Sequence, residues 1–338
     1  MRDHATLVEF MSDPSSYPEP TGSVEVVQTH ISWVFVCDEF VYKVKKPVDF
    51  GFLDFTTLDK RRFYTEEELR LNRRFSPEVY LEVVPVSLKG GRFILGDGSY
   101  VVEYALKMRR ISEDCMLHRL LAGGLADEAM LGRVGLHLAR IYGGIPSTEE
   151  ARRYGSVETV SFNVNENFEQ TARYVGGPVT ASQYDEIRSW SLDFLDRKQA
   201  VFDSRQKLGW IKECHGDLHL QHICVDREKI FVFDCIEFNE RFRYGDVASD
   251  VAFLSMDLDY NSRTDLSKAF VEGYLAGSKD TGLLDVLRFY KVYRAYVRAK
   301  VTSFMLDDEG LEPPLKEEAM ARASRYYALA HRYVTSED

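Results

Sequence analysis

The sequence has 338 residues and a formal net charge of −11, and hydrophobic and charged residues make up 45% and 29% of it. These values are typical of a soluble globular protein, and the length predicts two lobes or domains around separate apolar cores. The acidic balance argues against a nucleic-acid partner. No segment approaches the roughly 20 apolar residues of a membrane helix, and the N-terminus lacks a secretory apolar run, so we expect a cytoplasmic protein without a membrane partner.

The first third of the chain has the pattern of strands interrupted by one long helix. Segments rich in Val, Ile, Phe and Tyr predict strands at 25–28, 31–37, 40–44, 81–88 and 100–108. A helix is predicted from 58 to 75, because Thr56 and Asp59 form a variant of the capping box and Pro77 follows the end. Residues 1–24 are expected to form a short helix and a proline-containing lead-in.

From Glu113 onward the pattern becomes mostly helical. Helices are predicted at 112–122, 125–142, 164–174, 180–203, 264–277, 283–305 and 314–334, with one strand pair at 223–225 and 230–234. The change of pattern near 108–112 places a domain boundary there. The sequence therefore predicts an α+β fold with a strand-rich N-terminal lobe, residues 1–109, and a larger helical C-terminal lobe, residues 110–338.

Two segments around the predicted strand pair carry acidic residues in a pattern that favours catalysis. The first reads His-Gly-Asp-Leu-His from His215 to His219, and the second is a hydrophobic strand that ends at Asp234. A hairpin between them would bring Asp217 and Asp234 to one edge, where the two carboxylates could divide their tasks. One could accept the proton of a hydroxyl group while the other holds a divalent metal ion beside phosphates.

These segments resemble the catalytic and metal-binding motifs of the aminoglycoside phosphotransferase and choline kinase family, which are small-molecule relatives of the protein kinases. The resemblance implies a two-lobed protein-kinase-like fold, with nucleotide bound by residues 1–109 and the catalytic loop and acceptor site in residues 110–338. It implies that Asp217 is the catalytic Asp, which orients and deprotonates the acceptor hydroxyl. Asp234 would be the magnesium ligand, and His215 would brace the catalytic loop.

The sequence departs from the family pattern five residues after Asp217. Relatives usually have an Asn at this position, which holds a second metal ion, whereas this chain has His222 with Gln221 beside it. Imidazole is a poor ligand for magnesium, since hard cations prefer oxygen donors. His222 is therefore a weak metal ligand, a ligand that favours manganese, or a hydrogen-bond partner of Asp217.

The strand predicted at 40–44 resembles the kinase strand whose lysine contacts the α- and β-phosphates. Lys43 occupies the position of that lysine. Because side chains alternate along a strand, Lys45 lies on the same face, and spacing alone does not separate the two. Lys43 is the predicted phosphate-binding lysine.

A kinase lysine needs a glutamate partner on the helix that follows it. Glu67 is the predicted partner, because it interrupts an apolar stripe that includes Phe63 and Leu71 at intervals of four residues. A carboxylate within such a stripe faces the body of the protein and requires a counter-charge. Glu68 is the alternative, and Glu66 is expected to be solvated.

The loop that covers the phosphates in kinases contains no glycine in this chain. The segment 29–35 takes its place, and Ser32 with neighbouring backbone amides is the candidate for phosphate contacts. The hinge between the lobes is predicted at 105–110, with Met108 near the adenine and the backbone from Arg109 pairing with the base. These assignments imply ATP and Mg²⁺, or Mn²⁺, as cofactors.

Further acidic residues follow the second motif. The segment from Arg243 to Ala252 resembles the DxxxDLA element of the family, in which Asp246 would cap the next helix and Asp250 would accept hydrogen bonds from the catalytic loop. Glu237 and His219 are candidates for contacts with metal or substrate, or for positions behind such contacts. The sequence contains no GxxxxGK[ST] motif, which argues against a P-loop kinase.

The sequence thus predicts an ATP-dependent phosphotransferase that moves the γ-phosphoryl group to a hydroxyl of a small molecule. The alternative is a nucleotide-binding pseudokinase that regulates a partner protein, which His222 and the glycine-free loop favour. No long activation segment separates Asp234 from Asp246, which argues against a phosphorylation-regulated protein kinase. The sequence favours no particular acceptor and no particular oligomeric state.

Overall fold

A computed structural model describes the chain from Arg2 to Ser336. Met1 and residues 337–338, at the outer ends of the two predicted lobes, lie outside the described residues. Between Arg2 and Ser336, none of the helices is both long enough and apolar enough to cross a membrane.

The order of elements changes from strand-rich to helical along the chain. The strands are β1 (Glu25–Gln28), β2 (Ser32–Val36), β3 (Phe40–Lys45), β4 (Tyr80–Lys89), β5 (Arg92–Leu95), β6 (Val101–Arg109), β7 (Ile211–Glu213), β8 (Ile223–Asp226), β9 (Lys229–Val232) and β10 (Tyr244–Asp246). The α-helices are α1 (Arg2–Ser12), α2 (Leu58–Arg73), α3 (Leu117–Ala122), α4 (Glu128–Gly144), α5 (Glu149–Arg153), α6 (Val157–Thr171), α7 (Ala181–Arg197), α8 (Gln199–Lys207), α9 (Glu240–Arg243), α10 (Val247–Tyr260), α11 (Thr264–Ser278), α12 (Leu283–Phe304) and α13 (Pro313–Thr335). Short 3₁₀ helices occupy Pro14–Ser16, Glu113–Cys115, Ala172–Tyr174, Leu220–His222 and Met305–Asp307.

The described chain packs into two compact units. The first unit comprises the chain up to Leu120 together with Gln221–Glu240, and the second comprises Leu121–Leu220 together with the chain from Arg241 onward. The β8–β9 pair therefore belongs to the first unit, although it follows a long helical segment in sequence. The boundary predicted near 108–112 rests on sequence pattern alone, whereas compactness divides the chain at Leu120, Leu220 and Glu240.

The first unit is built on a six-stranded antiparallel sheet with the strand order β1-β2-β3-β6-β4-β5. Because β3 lies inside the sheet, its side chains alternate between two covered faces. One face belongs to an apolar core that includes Leu7, Met11, Phe35, Tyr42 and Val44. The other face carries Lys43 and Lys45, so β3 presents two cations away from this core.

Helix α2 begins after Thr57, whose side-chain oxygen accepts a hydrogen bond from the Lys60 amide (3.2 Å). The predicted helix 58–75 is thus confirmed, with its end at Arg73. The buried residues of α2 are Arg61, Thr65, Glu68, Leu71 and Asn72. The buried face of α2 is therefore largely polar, and its polar groups require partners in the interior.

The strand pair predicted after the first motif is present, and β8 and β9 are antiparallel. Ser76 fixes this hairpin to the first part of the chain. Its hydroxyl donates to the Val232 carbonyl (2.7 Å) and accepts from the Val232 amide (2.8 Å). The segment that follows β9 therefore starts from an anchored position.

The second unit is a helical assembly around α10, in which every residue from Val247 to Asp259 is buried. Asp246 caps this helix as predicted, because its side chain accepts a hydrogen bond from the Ala248 amide (2.9 Å). Strands β7 and β10 form a small antiparallel sheet that the sequence did not predict. The loop that follows β7 carries Asp217.

Helices α4 and α11 of the second unit pack at very short range through glycines. A Cβ atom on Gly273 would lie 2.2 Å from the carbonyl oxygen of Gly132, and one on Gly135 would lie 2.2 Å from the carbonyl oxygen of Phe270. Residues with a side chain at these positions would force the helices apart, so this approach depends on glycine.

Three helix predictions were wrong in their bounds. The helix predicted at 112–122 is a 3₁₀ helix, Glu113–Cys115, followed by α3, Leu117–Ala122. The helix predicted at 164–174 begins at Val157, because the Ser156 side chain accepts a hydrogen bond from the Thr159 amide and caps it there. The helix predicted at 180–203 is two helices, α7 and α8, which meet at Lys198. At Ser156 the local cap outweighed the hydrophobic periodicity, whereas no side-chain hydrogen bond caps α8 at Lys198.

Candidate functional site

Lys43 lies at the centre of an ion-pair cluster in the first unit. Its Nζ atom is 2.7 Å from Glu68 Oε1 and 2.9 Å from Asp234 Oδ1. The strand supplies the lysine, α2 supplies the glutamate, and the segment after β9 supplies the aspartate. The structure therefore brings together two of the predicted site residues, Lys43 and Asp234.

Both sides of this cluster are ionised. Burial lowers the pKa of Lys43, but the negative charges of Asp234 and Glu68 outweigh burial and raise that pKa well above its ordinary value. Burial raises the pKa of Glu68, but the nearby Lys43 and Lys45 ammonium groups lower it below its ordinary value. The charges of Lys43 and Glu68 therefore each favour the ionised form of the other.

A second lysine, Lys45, shares the same glutamate. Its Nζ atom lies 2.7 Å from Glu68 Oε2 and also contacts Glu237 Oε1. The Lys45 side chain is only 1% exposed, as is that of Glu68, and the Lys45 ammonium lies 4.8 Å from the centre of the Phe55 ring. Glu237, one of the sequence candidates for a metal or substrate contact, is thus buried against Lys45.

Asp234 lies in a backbone conformation that few non-glycine residues adopt, with φ of +66°. Two neighbours hold the backbone there: the Asp234 amide donates to the Tyr80 hydroxyl (3.0 Å), and the Cys235 amide donates to Asn72 Oδ1 (2.9 Å). Such conformations persist only where the surroundings enforce them, and they concentrate at functional sites. The Asp234 side chain is 45% exposed, which leaves carboxylate oxygen accessible to a ligand.

His222 lies beside Asp234 in the first unit. Its Nε2 atom is 3.5 Å from Asp234 Oδ2, whereas the Lys43 ammonium donates to Asp234 Oδ1. The ring is also close to the Phe233 ring, with centroids 6.1 Å apart. The structure therefore brings the two predicted metal ligands together.

The prediction of Glu67 as the partner of Lys43 was wrong, and Glu68 takes that position. Glu67 instead forms an ion pair with Arg70 (2.8 Å), one turn along the surface of α2. The error came from reading Phe63 and Leu71 as a buried stripe, because Phe63 is 56% exposed. The helix buries a polar face, which hydrophobic periodicity does not detect.

The remaining predicted nucleotide contacts lie in the sheet. Ser32 opens β2 opposite Lys45, is fully buried, and has an Oγ atom without a hydrogen-bond partner among the described residues. Met108 packs beside Val79 in the apolar cluster of β4 and β6. The Arg109 amide already donates to the Val79 carbonyl (2.8 Å), so pairing with a base would use its carbonyl oxygen or residues after it.

In the second unit, Asp217 occupies an irregular loop and is 34% exposed. Its amide donates to His215 Nδ1 (3.3 Å), and its Oδ2 atom lies 3.4 Å from His219 Nε2. His215 is fully buried, which fits the predicted role of bracing the loop. The Asp217 carboxylate is therefore oriented by its own loop and remains accessible.

Helix α10 anchors both ends of this loop. Asp250 accepts hydrogen bonds from the His215 amide (2.7 Å) and the Gly216 amide (3.2 Å), as predicted, and Asp257 accepts one from the Leu220 amide (3.0 Å). Asp250 and Asp257 are two helical turns apart and so lie on one face of α10. The position of Asp217 is thus set by a buried helix.

Two arginines of α12 accompany the loop. Arg294 donates to the Gly216 carbonyl (2.9 Å) and to Ser249 Oγ (2.9 Å). Arg298, one turn further, lies over the Tyr326 ring at 5.6 Å. Burial lowers the pKa of Arg298, whereas Tyr326 and the carboxylates of Asp217 and Asp257 raise it, with a net rise. The loop therefore has positive charge on its α12 side.

Sequence reasoning missed the roles of Lys45, Glu237 and Tyr80. The period of two on β3 already placed Lys45 beside Lys43, and this signal could have predicted a shared partner. Glu237 follows Asp234 by three residues, and its burial was not evident from the sequence. No local pattern marks Tyr80, whose hydroxyl reaches Asp234 only through the fold.

The fold is similar to those of several solved structures. A putative aminoglycoside phosphotransferase of Ralstonia eutropha is 11% identical, with a TM-score of 0.57 and coverage of 98% of each chain. The choline kinase of Cryptosporidium parvum is 10% identical, with a TM-score of 0.56 and coverage of 97% of this chain and 95% of that one. Amicoumacin kinase in complex with AMP-PNP, Ca²⁺ and amicoumacin is 10% identical, with a TM-score of 0.50 and coverage of 97% and 94%. These likenesses confirm the predicted α+β, protein-kinase-like fold.

Sequence similarity extends over most of the chain. Uncharacterized proteins of Mycobacterium tuberculosis and Mycobacterium bovis are 29% identical over 311 residues, which is 92% of this chain and 60% of theirs. The chain thus spans less than two thirds of the length of these relatives. Residues 106–290, more than half of the chain, match the model of the phosphotransferase enzyme family, and this segment includes Asp217, Asp234 and Asp250. The chain belongs to the phosphotransferase enzyme family.

Proposed function

We propose that this protein transfers the γ-phosphoryl group of ATP to a hydroxyl group of a small molecule. The observation that carries the proposal is the position of the Lys43 ammonium between Glu68 and Asp234. Phosphoryl transfer asks a protein mainly for positioning and for neutralisation of phosphate charge. A lysine held by one buried and one accessible carboxylate supplies a fixed cation next to a candidate metal ligand.

Glu68 sets the position of that cation. Because Glu68 is buried and Asp234 is 45% exposed, Lys43 can exchange its contact with Asp234 for phosphate oxygens and keep its contact with Glu68. Negative charge stays beside the ammonium during such an exchange, because Glu68 keeps its contact and the phosphate oxygens take the place of Asp234. Lys43 then binds and orients the α- and β-phosphates.

The donor atoms near Asp234 suit a divalent cation. Asp234 offers carboxylate oxygen, which Mg²⁺ and Mn²⁺ both accept, and His222 offers an imidazole nitrogen, which suits Mn²⁺ better than Mg²⁺. A bound cation would neutralise phosphate charge. Asp234 would hold it as the principal ligand, and His222 would be a weaker second ligand or orient Asp234.

Asp217 acts on the acceptor in this proposal. Its carboxylate accepts the proton of the acceptor hydroxyl, whose oxygen forms a bond to the γ-phosphorus. The bond between the γ-phosphorus and the bridging oxygen breaks, and ADP leaves with the electron pair. His219 and the anchored loop keep the Asp217 carboxylate directed at the acceptor.

Proteins of similar fold support this class of reaction. Solved structures of that fold are named as a choline kinase, an aminoglycoside phosphotransferase and an amicoumacin kinase, the last bound to AMP-PNP and Ca²⁺. They support a nucleoside triphosphate with a divalent cation and a small acceptor. The names of the longer mycobacterial relatives give no substrate, so these relatives favour no particular acceptor.

The first test is thermal stability with ATP and either Mg²⁺ or Mn²⁺. A ligand at 100 times its dissociation constant stabilises the native state by about 2.7 kcal/mol, which a melting curve resolves. We expect a metal-dependent rise for the wild type and its loss in Asp234→Asn. Asp226→Asn, an exposed position on the same hairpin, is the matched control and should behave as the wild type. The absence of any shift at saturating nucleotide would refute ATP binding.

The second test separates binding from turnover. Asp217→Asn should retain the ATP-dependent shift and lose about 10²- to 10⁴-fold in ADP formation with a hydroxyl acceptor, which is the usual contribution of a general base. The pseudokinase alternative, favoured by His222 at the second-metal position, predicts an ATP-dependent shift without ADP formation for any acceptor. The same two assays therefore distinguish the two functions.

A further inference from the structure

The face of β3 that carries Lys43 holds more charge than phosphate binding requires. Kinase chemistry needs one lysine at this position, and this chain buries a second one two residues later. Lys45 is 1% exposed, and its cation would be costly to remove from water without partners. Its partners Glu68 and Glu237 are also buried, at 1% and 4% exposure. Lys45, Glu68 and Glu237 therefore form one buried network of charged groups.

The contacts of Glu68 are divided between the two lysines. Its Oε1 atom contacts Lys43 and its Oε2 atom contacts Lys45, each at 2.7 Å. A carboxylate held through one oxygen can rotate about its last bond, whereas one held through both cannot do so without breaking an ion pair. Lys45 therefore fixes the orientation in which Glu68 presents Oε1 to Lys43.

The same lysine also reaches the segment that carries Asp234. Glu237 follows Asp234 by three residues, and its carboxylate contacts Lys45. The backbone from 233 to 237 forms neither helix nor strand, and at its start the Phe233 amide donates to the His222 carbonyl (3.1 Å). Tyr80 and Asn72 anchor its first half through the amides of Asp234 and Cys235, and Lys45 anchors its second half.

We infer that the Lys45–Glu237 pair, called the brace below, positions Glu68 and the Asp234 segment for binding of the metal–nucleotide complex. Lys45 and Glu237 are positioning residues, because both side chains are buried and contact each other. The inference rests on the proposed function, because it assigns a role within the same site. It also explains why Lys43 can leave Asp234 without disturbing Glu68, which Lys45 continues to hold.

The test measures how much Mg²⁺ each variant needs for half of its ATP-induced thermal shift, relative to its own nucleotide-free melting temperature. Lys45→Met and Glu237→Ala should each raise this Mg²⁺ concentration by about 10- to 100-fold, the usual effect of losing a residue behind a metal ligand. Lys45→Arg and Glu237→Gln keep hydrogen-bonding groups and should recover part of the loss. The matched control is Lys229→Met combined with Glu78→Ala, which removes an exposed ion pair (3.0 Å) of the same unit and should keep the Mg²⁺ dependence of the wild type.

The combined variant Lys45→Met with Glu237→Ala decides whether the pair acts as a unit. In Lys45→Met the buried Glu237 carboxylate loses its contact with the lysine, which destabilises the fold. The double variant removes both charges and can therefore be measured even where Lys45→Met does not fold. A brace predicts that the double variant loses no more than the larger single loss, whereas independent residues would multiply their losses.

Other outcomes overturn the inference. If the folded variants keep the Mg²⁺ dependence of the wild type and only their nucleotide-free melting temperature is lower, the Lys45–Glu237 contact contributes to stability and does not position the site. Multiplied losses in the double variant would also overturn it. If the wild type shows no ATP-induced shift, the proposed function and the brace both fail. If the wild type shows the shift and the brace variants keep its Mg²⁺ dependence, only the brace fails.

Discussion

Lys43 and Asp234 are separated by 191 positions in the chain, yet the lysine Nζ atom lies 2.9 Å from the aspartate Oδ1 atom. The contact exists because the β8–β9 hairpin returns to the unit that contains β3. The two residues differ in exposure: the lysine is 15% exposed and the aspartate 45%. Loss of the lysine therefore leaves the aspartate able to recover hydration, and the fold should tolerate the change.

We predict that Lys43→Met folds and loses about 10²- to 10³-fold in ADP formation, the range for removal of one group that stabilises transition-state charge. Stability should be largely retained, because Glu68 keeps Lys45 as its counter-ion. Steady-state assays and thermal melts measure the two effects. Lys229→Met is the control, since the Lys229 side chain is exposed and pairs with Glu78 at the surface (3.0 Å). Equal activity of the two variants would contradict the assignment of Lys43.

Among the residues that anchor the Asp217 loop, Asp250 of α10 should be the most sensitive to substitution. Its carboxylate accepts hydrogen bonds from the His215 amide and, at 2.5 Å, from the Tyr142 hydroxyl, and it is completely buried. Asp250→Asn places an amide donor among these donors, so we expect a loss of about 3–5 kcal/mol in the free energy of unfolding. Urea unfolding measures it. Glu272→Gln, in an exposed pair with Lys268, should change stability by less than about 1 kcal/mol.

Lys300 gives a pH dependence with a defined sign. Its ammonium contacts the neutral amides of Asn167 (2.6 Å) and Gln170 (2.9 Å), and burial lowers the pKa of Lys300 from 10.5 to about 8. Between these pH values the unfolded chain binds a proton that the folded chain lacks, so stability rises with pH. Relative to Lys300→Met, the wild type should gain on the order of 3 kcal/mol across this window.

The comparison of wild type with Lys300→Met cancels the titration of the buried tyrosines, which both proteins share. Urea unfolding at several pH values from 7.5 upward gives the difference directly. The prediction concerns the slope of this difference and not its size at one pH. A difference that stays constant, or that falls as pH rises, would show that Lys300 is charged in the folded state throughout the window.

The glycine contact between α4 and α11 predicts opposite effects for two similar substitutions. Gly273→Ala places a methyl group 2.2 Å from backbone oxygen and should lower the free energy of unfolding by about 1–3 kcal/mol. Gly143→Ala, in α4 with no atom within 4 Å of the new group, should raise it by up to about 1 kcal/mol. Thermal or urea unfolding of both variants tests the pair. Equal changes in the free energy of unfolding of the two variants would mean that α4 and α11 can move apart at little cost.

The sequence predicted the residues that belong to short, specific motifs. Asp217, Asp234, Asp246 and Asp250 lie in segments whose residue types and spacing are characteristic of the family, and the hydrogen bonds of Asp246 and Asp250 match the prediction. Lys43 was predicted from its position in a strand that resembles the lysine-bearing strand of kinases, whereas the alternation on β3 did not separate it from Lys45. Motifs of this kind report local geometry, which neighbouring residues largely determine.

The choice between Glu67 and Glu68 could not be made correctly in the same way. It depended on which face of α2 is buried, and that face carries Arg61, Thr65 and Asn72, which look solvated in a sequence. Arg61 pairs with Glu103 of the distant strand β6, and Asn72 accepts a hydrogen bond from the Cys235 amide, far along the chain. The buried Lys45–Glu237 contact was hidden for the same reason, since opposite charges 192 positions apart leave no local pattern.

The division of the chain into units has a consequence for its synthesis. Lys43, Lys45 and Glu68 leave the ribosome early, but Asp234 and Glu237, their remaining partners, follow only after the whole of Leu121–Leu220. During that interval the nascent first unit carries a positively charged face without its full set of carboxylates. Its final packing must therefore await a late segment, and a chain that ends before Gln221 would lack the ion pairs that Asp234 and Glu237 supply.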